Sequence, residues 1–160
     1  MYQPTSYSSH DLATISSWDY RKKLIQERLE IINPDVVCLQ EVSPVSFEQD
    51  FEFMKEQLGY DGVELFKRGR FRPATFWRTN KCHLVAPAVH NDRTLLTAFQ
   101  LVGGEEENAN VNWHVLNCHL QAGPQGPRRV RQIDDGITSS NKLAKRLKGE
   151  MKHTVHNICF

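Results

Sequence analysis

The stretch D-V-V-C-L-Q-E-V, residues 35–42, decides the fold class of this chain. Its apolar run from Val36 to Leu39 is short and is typical of a strand buried on both faces. Gln40 and Glu41 end the run, so a carboxylate follows the carboxyl end of a buried strand. Ligands gather at such strand ends in layered α/β proteins, and a carboxylate there is placed to hold a cation. The simpler alternative is an ordinary charged residue that leaves a strand for a loop.

Three helices are predicted around this strand. Ser17 is a candidate N-cap for a helix over Trp18–Ile32, and Pro34 ends that helix. A second helix, Phe47–Leu58, has an apolar face that is typical of core packing. A third helix fits Arg128–Lys148, and its inward face is predicted at Val130, Ile133, Ile137, Ala144 and Leu147.

The remaining segments predict strands, because they are rich in β-branched and aromatic residues or alternate between apolar and polar residues. The candidate strands are Tyr60–Phe66, Thr75–Arg78, His83–Ala86, Thr94–Val102, Asn112–Leu120 and Thr154–Phe160. Helices and strands together predict an α/β sandwich, in which a mixed β-sheet carries the helices on its outer face.

Two polar residues interrupt the apolar run W-H-V-L-N-C-H-L at residues 113–120. They are Asn117 and His119, and side chains two apart on a strand project from the same face. Polar side chains on an otherwise apolar face need hydrogen-bond partners. From the residues alone two interpretations stay open: a core pair satisfied by neighbouring backbone, or a pair that lines a functional site.

Length and composition are those of one globular domain. Of the 160 residues 39% are hydrophobic, and the net charge of +1 indicates no overall electrostatic commitment to nucleic acid. The four cysteines lack the C-x-x-C spacing of zinc sites and suit a reducing compartment. We therefore expect an intracellular protein, in the cytoplasm rather than in the nucleus, with no membrane span and no signal peptide.

Four stretches stand in a specific order along the chain. They are S-W-D-Y-R-K-K-L-I at 17–25, D-V-V-C-L-Q-E-V at 35–42, R-P-A-T-F-W-R at 72–78 and W-H-V-L-N-C-H-L-Q-A-G-P at 113–124. Together they resemble the endonuclease/exonuclease/phosphatase superfamily of metal-dependent phosphodiesterases, in the branch that includes poly(A) deadenylases and nocturnin-like phosphatases. The resemblance implies half of a four-layered α/β sandwich with two sheets face to face, of which we expect this chain to supply mainly one.

The resemblance also implies roles for the polar residues. Glu41 would hold Mg²⁺ or Mn²⁺, and Asn117 and His119 would grip the scissile phosphate. The basic residues that would contact substrate phosphates are Lys67, Arg70, Arg128, Arg129 and Arg131. Plain surface solvation is the open alternative for the three arginines at the start of the third helix. The branch often has basic residues after its H-L pair, where this chain has Gln121 and Gly123.

Three parts of the family pattern do not occur in residues 1–160: a first strand with an asparagine, a G-D-x-N element and an S-D-H element. The resemblance therefore implies that residues 1–160 form a partial catalytic domain of a hydrolase that acts on RNA or nucleotide phosphates. We expect this portion by itself to be inactive, because the groups that activate water are missing. The alternatives are a non-catalytic binding module for nucleic acid or protein on the same scaffold, or a fragment with no role of its own.

Overall fold

The computed structural model describes residues 14–65, 72–103, 111–150 and 154–159. The chain divides into two compact units, Met1–Pro34 and Asp35–Phe160. The candidate residues of the D-V-V-C-L-Q-E-V and N-C-H stretches all belong to the second unit.

The first unit contains helix α1, Trp18–Ile32. The Ser17 hydroxyl accepts a hydrogen bond from the backbone N–H of Tyr20, which confirms the predicted N-cap. The helix ends at Asn33, whose φ of 52° lies in the left-handed region that asparagine tolerates, directly before Pro34. Of the apolar residues along this helix, Leu29 is buried, whereas Leu24 and Ile32 are exposed.

The second unit begins with a three-stranded antiparallel sheet. Its strands are β1 (Val36–Val42), β2 (Tyr60–Glu64) and β3 (Arg72–Arg78), in the order β1-β3-β2. β1 pairs with β3 so that Val37 lies opposite Phe76 and Leu39 lies opposite Ala74. The apolar run at the start of β1 is therefore a strand, as predicted.

A second sheet follows in the chain. Its strands are β4 (Cys82–Leu84), β5 (Val89–His90), β6 (Thr94–Leu101), β7 (Val111–Cys118) and β8 (Thr154–Cys159). The order is β4-β6-β7-β8, and β5 pairs with β6. The pairing of β7 with β8 is parallel and the other pairings are antiparallel, so the sheet is mixed, as predicted.

The two sheets pack face to face through an apolar layer. The rings of Trp77 on β3 and Phe99 on β6 lie 5.4 Å apart between centroids. Cys82 and Val115 are buried in the same cluster. The chain thus contributes strands to both sheets, so the expectation that it supplies mainly one is wrong. The sequence pattern misled because the central residues of β3, Pro73 to Trp77, are all buried, and their pattern does not reveal which layer covers which face.

Helices cover the outer faces of both sheets. Helix α2, Phe47–Glu56, places the ring of Phe51 5.4 Å from that of Phe76 on the first sheet. Helix α3, Gly126–Glu150, packs Leu143 and Leu147 against Leu116 of the second sheet. Within the second unit the layers run helix, sheet, sheet, helix, which confirms the predicted sandwich class.

The face of α3 that meets the sheet differs from the prediction. Val130 and Ile137 are exposed, at 59% and 48%. Leu147 is buried, as predicted. The other buried residues of the helix are Gln132, Gly136, Ser140 and Leu143. Near its start the helix turns small and polar residues inward, because its first turns lie over the loop that follows β7 and over the polar end of β6 rather than over an apolar surface. Apolar periodicity alone therefore assigned the wrong face to this part of the helix.

Gly136 fixes how closely α3 approaches the second sheet. A Cβ atom at this position would lie 2.7 Å from Cδ2 and 2.9 Å from Cδ1 of Leu116, which is itself buried. Contacts this short require that Leu116 or the helix move. The missing side chain is therefore a packing requirement rather than a helix-ending signal.

We expect Gly136→Ala to lower the free energy of unfolding by about 1 kcal/mol, because overpacking outweighs the gain in helix propensity. In a Leu116→Ala background, where the contact is gone, the same substitution should instead raise stability by up to about 1 kcal/mol. Urea denaturation of the four proteins measures both effects. If Gly136→Ala stabilises the wild-type protein, or has the same effect in both backgrounds, the close approach is wrong.

His114 lies buried between β7 and α3, at 1% exposure. Its Nδ1 is 2.7 Å from the Ser140 hydroxyl, and its Nε2 has no hydrogen-bond partner in the part of the chain that the structure describes. Burial lowers the pKa of His114 below its ordinary value of 6.5, because the charged ring would lose its hydration.

We expect stability to decline as the pH falls below 6.5. The folded state takes up a proton on His114 less readily than the unfolded chain does. The contribution of neutral His114 to the free energy of unfolding is therefore complete above pH 6.5. It is lost below that pH, by at most about 1.4 kcal/mol per pH unit. Burial raises the pKa of Glu64, which acts in the opposite direction. Urea titrations across this range should therefore compare the wild type with His114→Gln; an equal slope in both would contradict the assignment.

Candidate active site

Glu41 and His119 meet at one rim of the two-sheet layer. The carboxylate Oε1 of Glu41 lies 3.5 Å from Nε2 of His119. The Glu41 side chain is 67% exposed, and that of His119 is 24% exposed. The structure thus brings together a carboxylate from the first sheet and an imidazole from the end of β7, with solvent access to both.

The backbone at Glu41 is unusual. Its φ is 59°, in the left-handed region that side chains other than glycine rarely adopt. The pairing of β1 with β3 shifts register between Leu39 and Val42, so Glu41 sits in a β-bulge. A conformation of this kind costs roughly 1 kcal/mol or more and persists only when its surroundings hold it. Such strain is concentrated at functional sites, where it aims a side chain.

Asn117 supplies part of what holds the bulge. Its Nδ2 donates hydrogen bonds to the backbone carbonyls of Leu39, at 3.1 Å, and of Ala74, at 2.9 Å. Its Oδ1 accepts a 2.9 Å hydrogen bond from Nε2 of Gln40. The amide therefore joins the second sheet to two strands of the first. It also forms hydrogen bonds with the two residues that precede Glu41.

This geometry gives Asn117 a different part from the predicted one. Its side chain is fully buried, at 0% exposure, and both its amide atoms are engaged within the protein. No amide atom faces solvent, which argues against a direct grip on a scissile phosphate. The structure agrees with the interpretation of Asn117 as a core residue that neighbouring groups satisfy. Two of its partners, Leu39 and Gln40, directly precede Glu41.

The two ring nitrogens of His119 have different surroundings. Its backbone N–H donates a 2.9 Å hydrogen bond to the carbonyl of Arg93, which extends the β6–β7 pairing by one residue. Its Nδ1 is buried and has no hydrogen-bond partner within the described residues, whereas Nε2 faces Glu41. In the neutral ring the proton therefore belongs on Nε2, where it can be donated toward an anion at the rim.

The loop after His119 is fastened to α3. Gln132, which is 3% exposed, accepts a hydrogen bond from the backbone N–H of Gln121 and donates one to Asp92. Arg129 donates to the carbonyls of Gln121 and Gly123. These contacts fix the segment that follows the imidazole. Sequence reasoning missed Gln132, although a polar residue on the sheet-facing side of a helix is a detectable signal.

The three described residues among the five predicted to contact phosphate have different surroundings. Arg128 forms an ion pair with Asp92 at 3.4 Å, and Arg129 is occupied with loop carbonyls. Arg131 is exposed on α3 and lines an open depression with Arg128 and Asp92. The other two, Lys67 and Arg70, lie outside the described residues.

Glu41 is the side chain at this rim that suits a divalent cation. Its carboxylate is exposed, and Mg²⁺ commonly binds through one or two carboxylates while keeping several waters. Among the described residues there is no group of three or more His, Cys, Asp or Glu side chains that could hold a metal ion. Burial raises the pKa of the nearby Cys38 to about 11, so this thiol stays protonated and is a poor ligand.

The sequence as a whole matches a known family profile. The profile of the Endonuclease/Exonuclease/phosphatase family covers residues 8–145. The chain belongs to this family. The resemblance predicted from the four sequence stretches is therefore confirmed.

Three similar proteins are each matched by this chain over only part of their own length. The CCR4-Not complex 3′-5′-exoribonuclease subunit Ccr4 of Schizosaccharomyces pombe is 36% identical, over 68% of this chain and 20% of that protein. Human 2′,5′-phosphodiesterase 12 is 40% identical, over 42% of this chain and 11% of its own length. The human Nocturnin catalytic domain with bound sulfate has a TM-score of 0.61 at 19% identity, over 89% of this chain and 57% of that domain. The chain thus spans only part of each.

We expect Asn117→Leu to lower the free energy of unfolding by roughly 2–4 kcal/mol, because it leaves the buried carbonyls of Leu39 and Ala74 without a donor. Asn80→Leu is the matched control, since Asn80 is an exposed turn residue and its change should stay within about 0.5 kcal/mol. Urea denaturation of both variants measures the difference. Equal stability of the two would mean that the amide does not connect the sheets.

Proposed function

We propose that the protein is part of a divalent-metal-dependent phosphoesterase that acts on RNA or nucleotide phosphates, with Mg²⁺ or Mn²⁺ as its ion. The observation that carries the proposal is the Glu41–His119 pair, 3.5 Å apart at the open rim of the sandwich. Family membership supports the reaction class, since the family comprises endonucleases, exonucleases and phosphatases. Residues 1–160 would be one portion of that catalytic domain.

Each rim residue would have a defined part. Glu41 would hold the cation through its exposed carboxylate, and a bound cation supplies charge stabilisation for a phosphoryl oxygen and a more acidic water. His119 would donate its Nε2 proton in a hydrogen bond to a phosphoryl oxygen and so stabilise the charge that develops there. Asn117 would act indirectly, because its hydrogen bonds to the Leu39 carbonyl and the Gln40 side chain hold the two residues before Glu41.

The substrate class is proposed from the relatives. Ccr4 is a 3′-5′-exoribonuclease subunit, phosphodiesterase 12 is a 2′,5′-phosphodiesterase, and the Nocturnin domain binds a sulfate anion. Their shared chemistry is recognition of a tetrahedral oxyanion, and two of the three names indicate phosphodiester hydrolysis. An RNA strand or a nucleotide phosphate is therefore the substrate that we propose. A poly(A) tail is one member of this class.

A second candidate function is binding without catalysis. It is favoured by the sparse chemistry of the rim, where the described residues offer one carboxylate and one imidazole but no cluster of metal ligands. General acid–base catalysis is worth roughly 10²–10⁴-fold, and it needs a group that activates the attacking water. Without such a group, we expect residues 1–160 alone to bind an ion weakly and to hydrolyse neither poly(A) nor simple phosphate esters.

Mn²⁺ titration monitored by NMR tests the ion site. Paramagnetic broadening should be selective for the amides of Glu41 and His119 in the wild-type chain and should be lost in Glu41→Gln. Glu52→Gln is the matched control, because Glu52 is an exposed glutamate on α2. We expect weak binding, since one carboxylate leaves most of the coordination shell to water.

The outcomes test the ion site and the expected inactivity of residues 1–160. Broadening that is the same in Glu41→Gln would refute the ion site. Selective broadening without hydrolysis of poly(A) would agree with a partial catalytic domain. Metal-dependent hydrolysis that disappears in Glu41→Gln would support the enzyme assignment and contradict the expected inactivity.

A further inference from the structure

Arg93 lies directly opposite His119 at the same rim. The β6–β7 register pairs Leu95 with Asn117 and Thr94 with Cys118. The 2.9 Å hydrogen bond from the His119 N–H to the Arg93 carbonyl continues this register by one step. Opposite residues of antiparallel strands project from the same face, so the Arg93 side chain shares the face of His119.

The positive charge of Arg93 is not paired with a carboxylate among the described residues. Its Nη2 donates one hydrogen bond, at 3.2 Å, to the neutral amide oxygen of Gln121. It forms no ion pair with a described carboxylate, unlike Arg72 with Glu64 or Arg128 with Asp92. Arg93 is half-buried, so a full positive charge is held at the rim with most of its donors available.

The surroundings of Arg93 keep this charge accessible. Its neighbour Asp92 is turned toward α3, where it pairs with Arg128 and accepts a hydrogen bond from Gln132. Gln121, which orients the guanidinium, is fixed in turn because its backbone N–H donates to Gln132 and its carbonyl accepts from Arg129. The guanidinium is therefore oriented by a neutral group that does not neutralise it.

We propose that Arg93 and Gln121, together with the Nε2 of His119, form a phosphate-binding subsite for the substrate. A guanidinium presents several N–H donors in one plane and binds phosphate oxygens in a bidentate manner, and a preoriented one does so at lower entropic cost. The proposal rests on the proposed function. It assigns substrate-phosphate binding to the start of β6 instead of to the start of α3, where Arg128 pairs with Asp92 and Arg129 binds loop carbonyls.

The test is binding of adenosine 5′-monophosphate at constant ionic strength, followed by NMR shifts of the amides of Arg93, His119 and Gln121. Adenosine is the ligand control, because it lacks the phosphate. We expect saturable shifts with the monophosphate alone. Arg93→Gln should weaken binding about tenfold or more, and Arg93→Lys should recover only part of it, since lysine keeps the charge but not the planar donor set.

Arg146→Gln is the matched control, since Arg146 is an exposed arginine farther along α3, and it should bind like the wild type. Binding unchanged in Arg93→Gln, absent from the wild type or equal with adenosine would overturn the subsite. The Mn²⁺ broadening at Glu41 should persist in Arg93→Gln. If phosphate binding depends on Arg93 while broadening is the same in Glu41→Gln, the subsite stands and the metal-dependent function fails.

Discussion

The structure depends on one buried amide. Asn117 projects from the second sheet into the layer between the sheets and donates to carbonyls of two strands of the first, those of Leu39 and Ala74. A buried carbonyl without a donor costs more than a hydrogen bond gains, so this amide restricts the sheets to one relative position. The apolar contacts around Trp77 and Phe99 supply packing, but such contacts are less directional than the hydrogen bonds of the amide.

The same amide also holds the residues next to the rim in place. Its oxygen accepts from Gln40, and its nitrogen donates to the carbonyl of Leu39, so both residues before Glu41 are held. The left-handed backbone of Glu41 can then persist at a place where an extended strand would otherwise continue. A buried structural contact from the opposite sheet thus holds the residues that precede the exposed carboxylate.

The arginines near the rim divide into two groups by what they contact. Arg128 pairs with the carboxylate of Asp92. Arg129 donates to the carbonyls of Gln121 and Gly123 and so secures the loop after His119 to α3. Arg93 is oriented by a neutral amide and keeps its charge available. The distinction is electrostatic, because an arginine that already pairs with a carboxylate must give up that pair before it can bind a phosphate.

The sequence by itself determined the family, the strand that carries Glu41, the capped first helix and the presence of two polar residues, Asn117 and His119, on one face at the end of β7. These features depend on local patterns, which a short stretch of residues expresses completely. Only the tertiary structure decided that the chain contributes to both sheets, that Gln132 and Gly136 face inward on α3, and that Asn117 is a buried link while Arg93 stands beside His119. Each of these depends on which strands lie opposite one another, and contacts between residues such as Leu39 and Asn117, far apart in the chain, leave no periodic trace in the sequence.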